Sequence, residues 1–404
     1  MRGALRAGGV ALGLVWLPLL LGGSLVGASS EPPQEDPFAE TPARHVVLIS
    51  VDGLRPEFYL EDRWPAVMMR QMAAEGAHAK GVRGVHPSVT YPSHATLVTG
   101  ALPARHGIFY NSPFDEGGQT GRWYWESEHL TTPALWDAVR AAGGRSASLW
   151  WPVTVGAQID YNLPEVWPLD PDSVFTDAVR GAESPPGLLT ELETQAVDRG
   201  IARIVEAAEE AGILDETTFI ITGDHGFSDI HTVVAPNVWL VEAGFMEDRS
   251  DRGDWRATFH SSGASAFLKL RDPEDEGAVE EVRALLTDLP VGTRRLFQLI
   301  DGDRMVEAGA DPDSPLSLSG VDGVSMTSAR SGAAVRPGSG GTHGHFPDFP
   351  NMETGFVAWG AGVQAGARVP LMGMEDIAPV VVELLGLEME TPDGVLLPGL
   401  VEGR

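Results

Sequence analysis

The stretch His45-Val-Val-Leu-Ile-Ser-Val-Asp-Gly53 decides the fold class. It is short, almost continuously apolar and rich in β-branched residues, as a strand buried on both faces of a parallel sheet would be. It stops at an acid followed by glycine. Two more runs are built alike: Thr217-Thr-Phe-Ile-Ile-Thr222 ends at Gly223-Asp-His-Gly226, and Gly355-Phe-Val-Ala-Trp359 ends in the turn Gly360-Ala-Gly362. Between the first two, Ala196, Val197, Ile201, Ile204, Val205 and Ala208 recur at a spacing that lays one apolar stripe along a helix. Strands alternating with helices predict an α/β fold, a mostly parallel sheet with helices on both faces. Sites in open sheets of that kind lie beyond the carboxyl ends of the strands, so Asp52 and Asp224-His225 are expected to share one.

Outward from these strands the chain divides in order. Residues 1–28 carry Arg2 and Arg6, then an apolar stretch from about Val10 to Val26, then Val26-Gly-Ala28, the layout of a secretory signal peptide. An uncleaved membrane anchor is the alternative, since about 17 apolar residues is the lower limit for spanning a bilayer. A Pro- and Glu-rich linker follows at 29–44, and the core runs from 45 to 404. From Asp229 the regular pattern gives way to acidic clusters, one helical segment near Glu280 to Leu286 and a Gly/Ser-rich stretch ending at Gly341. This reads as a cap inserted at about 229–340.

The composition narrows the function. The chain has 404 residues, 43% of them hydrophobic, enough for a large buried core, and it has no cysteine, so neither disulfides nor thiolate metal ligands are available. A net charge of −29, with 57 acidic against 28 basic residues, argues against general nucleic-acid binding and against an anionic-membrane patch. It would also repel a phosphate substrate unless bound cations reverse the local field. The location expected from the N-terminus is periplasmic or extracellular, with no membrane insertion once the signal is cleaved. Oligomeric state is not legible.

Three segments carry groups suited to chemistry. Asp224-His225 offers an oxygen and an imidazole on adjacent residues between glycines. Asp52 stands at the equivalent strand end, and Gly341-Thr-His-Gly-His345 adds His343 and His345. Carboxylate and imidazole without thiolate suit zinc, with manganese or another divalent ion as the alternative. His86-Pro-Ser-Val-Thr90-Tyr91-Pro-Ser-His94 places a hydroxyl in a proline-bounded turn before what reads as a helix, whose N-terminus would attract an anion. Alone, Thr90 reads as an N-cap or turn hydroxyl and Asp224-His225 as a turn. As a nucleophile near neutral pH, a threonine needs a metal ion to hold its alkoxide.

Taken together and in order, Leu48-Ile-Ser-Val-Asp52-Gly-Leu-Arg-Pro56, Pro87-Ser-Val-Thr90-Tyr91-Pro-Ser-His94, His106-Gly-Ile-Phe-Tyr-Asn111, Thr222-Gly-Asp224-His225-Gly226 and Gly341-Thr-His343-Gly344 resemble the nucleotide pyrophosphatase/phosphodiesterase family. The resemblance implies an alkaline-phosphatase-like core, two zinc ions and a phosphohydrolase that cleaves phosphodiester or pyrophosphate bonds through a phospho-threonine on Thr90. By the same resemblance Asp52, Thr90, Asp224 and His225 surround one metal and His343 binds the second. Asn111 donates to a non-bridging phosphate oxygen, and Tyr91 occupies the position on which a nucleobase or other leaving group stacks. The implied partner is a small phosphodiester, a nucleotide or a phosphorylated headgroup. His94 reads as structural, and His345 as a supporting or a turn residue.

The chain departs from the family pattern at one place. The family draws an Asp and, four residues on, a His for its second metal from a loop before the helix that leads to the Asp-His strand. Residues 175–201 here contain no histidine. A strand and its ligand loop are missing, and the second metal site is expected to be weak or empty. Asp160, Asp172, Asp177, Glu193 and Asp198 are nearby carboxylates, but their spacing selects none. A catalytically impaired or non-catalytic phosphate-binding relative, or a phosphomonoesterase or phosphonate hydrolase of the same superfamily, are the alternative functions.

Overall fold

The protein is described as a computed structural model that covers residues 12–16, 36–117, 122–165, 188–249 and 251–404. The predicted signal (1–28) and linker (29–44) lie largely outside these residues, as do Asp172 and Asp177.

An eight-stranded sheet runs, edge to edge, through Ala367–Val369, Ala77–Ala79, Phe356–Gly360, Thr217–Gly223, His45–Val51, Leu12–Trp16, Ala147–Leu149 and Tyr161–Leu163. Its centre is the expected parallel pair, His45 opposite Thr217 through Val51 opposite Gly223. Elsewhere the sheet is mixed rather than mostly parallel. Phe356–Gly360 runs antiparallel to both neighbours, as does Leu12–Trp16. The apolar run at 355–359 reads the same in either direction, so its sequence predicts a buried strand and leaves its polarity open. Leu12–Trp16, within the predicted signal, pairs between His45–Val51 and Ala147–Leu149.

Alternation along the central strands divides the core. Val46 and Leu48, with Ile220 and Phe356, pack under helices Thr90–Thr99 and Ile377–Leu385, against Leu97, Val98, Val380, Val381 and Leu384. Val47, Ile49 and Val51, with Phe219, Ile221 and Val357, face the other way. They meet Met69 and Met72 of helix Val67–Glu75 and Ile201, Val205 and Ala208 of helix Leu188–Glu210. The continuous apolar runs therefore serve two buried faces. The predicted stripe holds except at Ala196, which is exposed. Burying each such side chain contributes roughly 1.5–3 kcal/mol.

A second, four-stranded antiparallel sheet is ordered Ala257–Ser262, Ser265–Leu270, Ser317–Gly320, Phe297–Ile300. Helix Glu276–Asp288 covers it, starting at Asp275, whose side chain accepts the Ala278 N–H at 2.9 Å. Phe259, Leu268, Val282, Leu286 and Leu318 belong to its own apolar cluster.

Two histidines away from the strand ends tie the loops that carry Thr90 and Asn111. His86 Nε2 lies 2.9 Å from Ser317 Oγ, and His106 accepts the Ile108 N–H on Nδ1 at 3.1 Å, with Nε2 3.0 Å from Thr96 Oγ1. Burial pushes both imidazoles down to about 3, so they are neutral in the fold, whereas the unfolded chain protonates them near 6.5. Below pH 6.5 the unfolded state binds the extra protons, and stability falls as pH drops toward 3. The slope is about 1.4 kcal/mol per pH unit for each histidine. Urea unfolding at pH 6.5, 5.5 and 4.5 should show His106→Gln with a slope shallower by about that amount; parallel slopes for parent and variant would contradict it.

Candidate metal and nucleophile centre

Because the two central strands are paired in register to Val51 and Gly223, the residues that follow, Asp52 and Asp224, emerge side by side. Asp224 is fully buried, and its Oδ1 accepts the N–H groups of Gly53 and His225 at 3.1 and 3.0 Å. His225, also fully buried, donates Nδ1–H to the Gly226 carbonyl at 3.0 Å, which turns the Nε2 lone pair inward. Gly226 has to be glycine: a Cβ there would overlap the carbonyl oxygen of Asn351.

Thr90 is the first residue of helix Thr90–Thr99, preceded by Val89 in extended conformation with no side-chain cap. Thr90 therefore does not act as an N-cap. Its Oγ1 lies 3.5 Å from His225 Nε2, which is itself 3.2 Å from Asp224 Oδ2 and 3.9 Å from Asp52 Oδ1. One donor atom each from Asp52, Asp224 and His225 fall within 4.8 Å of one another, the one such group among the described residues.

This donor set fits a divalent cation. Tetrahedral zinc with bonds of about 2.0–2.1 Å has donor-to-donor edges of about 3.3 Å, and from His225 Nε2 the spacings to Asp224 Oδ2, Thr90 Oγ1 and Asp52 Oδ1 are 3.2, 3.5 and 3.9 Å. Asp224 Oδ2 is buried without a hydrogen bond of acceptable geometry, although His225 Nε2 stands 3.2 Å away, as two lone-pair donors to one ion would stand. Electrostatics agree. Burial, followed by the charges of Asp224 and Glu165, raises the Asp52 carboxyl well above its usual range. Burial also raises Asp224 and lowers His225. Burial holds the two carboxyls toward their protonated form beside a neutral imidazole, and a cation bound there would favour their ionised, ligating form.

The other predicted residues are placed as follows. Asn111 Oδ1 accepts the Tyr91 N–H at 2.9 Å, one of the donors a helix N-terminus leaves unpaired, so the amide is held beside Thr90. His343 donates Nδ1–H to the Ser88 carbonyl at 3.1 Å and stacks on His225, with centroids 3.6 Å apart and planes 8° apart. It reaches the centre without joining the three-donor group. His94 donates Nδ1–H to the Thr90 carbonyl at 2.8 Å, a bond within the helix. His345 is buried against Phe349, its rings stacked at 4.3 Å.

Tyr91 differs from expectation. Its ring is fully buried among Ala95, Ile108, Tyr124 and Val153, edge-on to Trp123 at 5.1 Å, so it has no open face for a base here. The position after Thr90 on a helix turns inward, and a one-letter match does not record that direction.

Of the carboxylates weighed for the second metal, Asp198 accepts the N–H groups of Met68 and Met69, both at 2.9 Å, and Asp160 accepts that of Ser146 at 2.8 Å. Both serve backbone. Glu165, which the sequence reading passed over, is 6% exposed and close enough for its charge to act on both Tyr91 and Asp52. No spacing signal marks it.

This strand-end cluster stands on the mixed sheet of an α/β protein and sets a threonine hydroxyl beside three groups that could hold a metal ion. The model of the type I phosphodiesterase/nucleotide pyrophosphatase family matches residues 46–185 and 181–306, and the chain belongs to that family. It is 23% identical over 406 residues to a venom phosphodiesterase of Macrovipera lebetinus, spanning 88% of this chain and 44% of that one. It is 25% identical over 388 residues to ectonucleotide pyrophosphatase/phosphodiesterase family member 3 of Mus musculus, spanning 82% and 41%. The chain thus matches less than half the length of these relatives. Human ectonucleotide pyrophosphatase/phosphodiesterase 5 has the same fold, with a TM-score of 0.65 and 20% identity across 87% of this chain and 96% of that one. The murine counterpart, solved as an inactive variant in complex with AMP, gives 0.64 at 20% identity, across 85% and 95%. No helix among the described residues is long and apolar enough to cross a membrane.

Proposed function

We propose that this chain hydrolyses phosphodiester or pyrophosphate bonds in small molecules, with Thr90 Oγ1 as nucleophile. The observation that carries the reading is Thr90 Oγ1 at a helix N-terminus, 3.5 Å from His225 Nε2 and beside Asp52 and Asp224. Asp52, Asp224, His225 and Thr90 would hold one divalent cation, zinc by donor type, and such an ion supplies Lewis acidity and lowers the pKa of a bound hydroxyl. Thr90 Oγ1 forms a bond to phosphorus and the bond to the leaving group breaks, that group departing with the electron pair. Water then cleaves the phospho-threonine and restores the hydroxyl. Asn111, its Oδ1 committed to Tyr91, presents its Nδ2–H groups to a phosphate oxygen.

Among the described residues, His343 is the one expected ligand of a second metal that reaches the centre, which supports a weak or absent second ion. This observation favours a second reading, a phosphate-binding relative with little turnover. The AMP bound to the murine neighbour supports a nucleotide-like substrate, and the secreted or ecto character of the relatives supports a place outside the cytoplasm. Hydrolysis of a nitrophenyl ester of thymidine monophosphate by the zinc-loaded protein tests the reading. Zinc-dependent release of nitrophenol supports it; folded, zinc-bound protein without release shifts the assignment to the binding relative. Equal release from nitrophenyl phosphate would mark a phosphomonoesterase.

A further inference from the structure

Asn111 sits between two residues that the inserted subdomain holds. On one side, Tyr110 is 1% exposed and its hydroxyl donates to Asp311 Oδ2 at 2.5 Å, with Ser314 Oγ at 3.3 Å. Asp311 is also ion-paired with Lys269, on strand Ser265–Leu270, and both charged groups are buried. On the other side, His260 Nε2, from strand Ala257–Ser262, meets the Ser112 carbonyl at 3.2 Å and its ring lies 4.5 Å from that of Tyr110. Asn111 points the opposite way, to the Tyr91 N–H, and its own carbonyl accepts the Tyr124 N–H at 3.1 Å. Residues 110–112 form a bend, and the contacts to the Tyr110 hydroxyl and the Ser112 carbonyl hold it on both sides of Asn111, whose side chain is left directed at the start of the Thr90 helix.

A buried lysine–aspartate pair is a weak source of stability, because desolvation offsets most of its attraction, and apolar residues of similar volume could fill the space. It does have direction. The pair fixes one oxygen of Asp311 in place, and burial together with that carboxylate keeps the Tyr110 hydroxyl protonated as a donor.

We propose that the insert orients Asn111 toward the nucleophile through this network, with Tyr110, Asp311, Lys269 and His260 as positioning residues. The role assigned to Asn111 rests on the function proposed above; the mechanical link does not. The insert thereby sets the geometry of phosphate recognition.

Two readouts test it separately on the full zinc-loaded chain. Hydrogen exchange at the Tyr91 amide reports the Asn111 bond directly, with Asn111→Ala as the reference for its loss. Tyr110→Phe keeps the ring and leaves the Asp311–Lys269 pair intact; it should speed Tyr91 exchange about tenfold, toward the Asn111→Ala rate, while exchange in strand Thr217–Gly223 stays unchanged. His260→Gln should act in the same direction. In turnover, Tyr110→Phe should lower kcat about tenfold in the parent and have no further effect in Asn111→Ala, since both changes remove one interaction. If Tyr91 protection survives Tyr110→Phe and His260→Gln, the positioning role is overturned. If protection is lost but no sample turns over, the link stands and the hydrolase reading fails.

Discussion

Replacing Thr90 by alanine should abolish phosphodiester hydrolysis, by at least about a thousandfold in kcat, while leaving the fold in place and zinc held, with one ligand fewer, by Asp52, Asp224 and His225. Thr90 is 7% exposed and its side chain is no helix cap, so alanine removes a hydroxyl and a methyl from a helix start without unpairing a backbone donor. Asp52, Asp224 and His225 keep their positions, since the bonds that orient Asp224 and His225 run to Gly53, Gly226 and their own backbone. The loss should therefore fall on kcat, with KM for the nitrophenyl ester changed only a few-fold. Quenched reactions of the parent with a labelled ester should also carry label on Thr90 and none in the variant. An alanine variant that retains more than a tenth of parental kcat would rule out the threonine mechanism and point to direct attack by water.

Zinc should bind one ion per chain tightly and raise the thermal midpoint, and Asp224→Asn should lose both effects. The apo centre holds two carboxylates facing one another with burial against them, so the folded state carries an unrelieved cost that a cation removes. At a free zinc concentration a thousand times Kd the stabilisation is about 4 kcal/mol. The asparagine variant makes the sharper comparison. It keeps an Oδ1 acceptor for the N–H groups of Gly53 and His225 and removes a carboxyl whose ionisation burial opposes. Its apo form should melt at or above the apo parent, although its zinc-dependent rise is gone. His343→Ala should keep the single ion, because His343 lies outside the three-donor group. Native mass spectrometry showing two zinc ions retained per chain would mean that a second site is built from residues beyond those described, and a lower apo midpoint for Asp224→Asn would refute the charge argument.

The parts of this protein visible in its sequence were those fixed by short-range rules. The runs at 45–51 and 217–222 were readable as doubly buried strands because both faces need apolar side chains, and the acids at their ends followed from where sheets place their sites. Strand polarity was not readable: Phe356–Gly360 is as apolar as its neighbours and runs the other way. Tyr91 was misplaced because its direction depends on the helix that begins one residue earlier. Glu165 and the Tyr110–Asp311–Lys269 network left no trace because their members are 74, 201 and 42 positions from the residues they meet or pair with, too far apart for any local pattern to join them.

The register of the two central strands also bears on how such a centre can change over time. Asp52 and Asp224 each follow a rung of one parallel ladder, so their separation is set by interstrand spacing of about 4.8 Å rather than by a loop's conformation. A neighbouring loop can then be trimmed or exchanged without moving the pair. Residues borne on loops lack that insulation, and a lineage carrying this sheet can vary its loops while the strand-end pair stays in place.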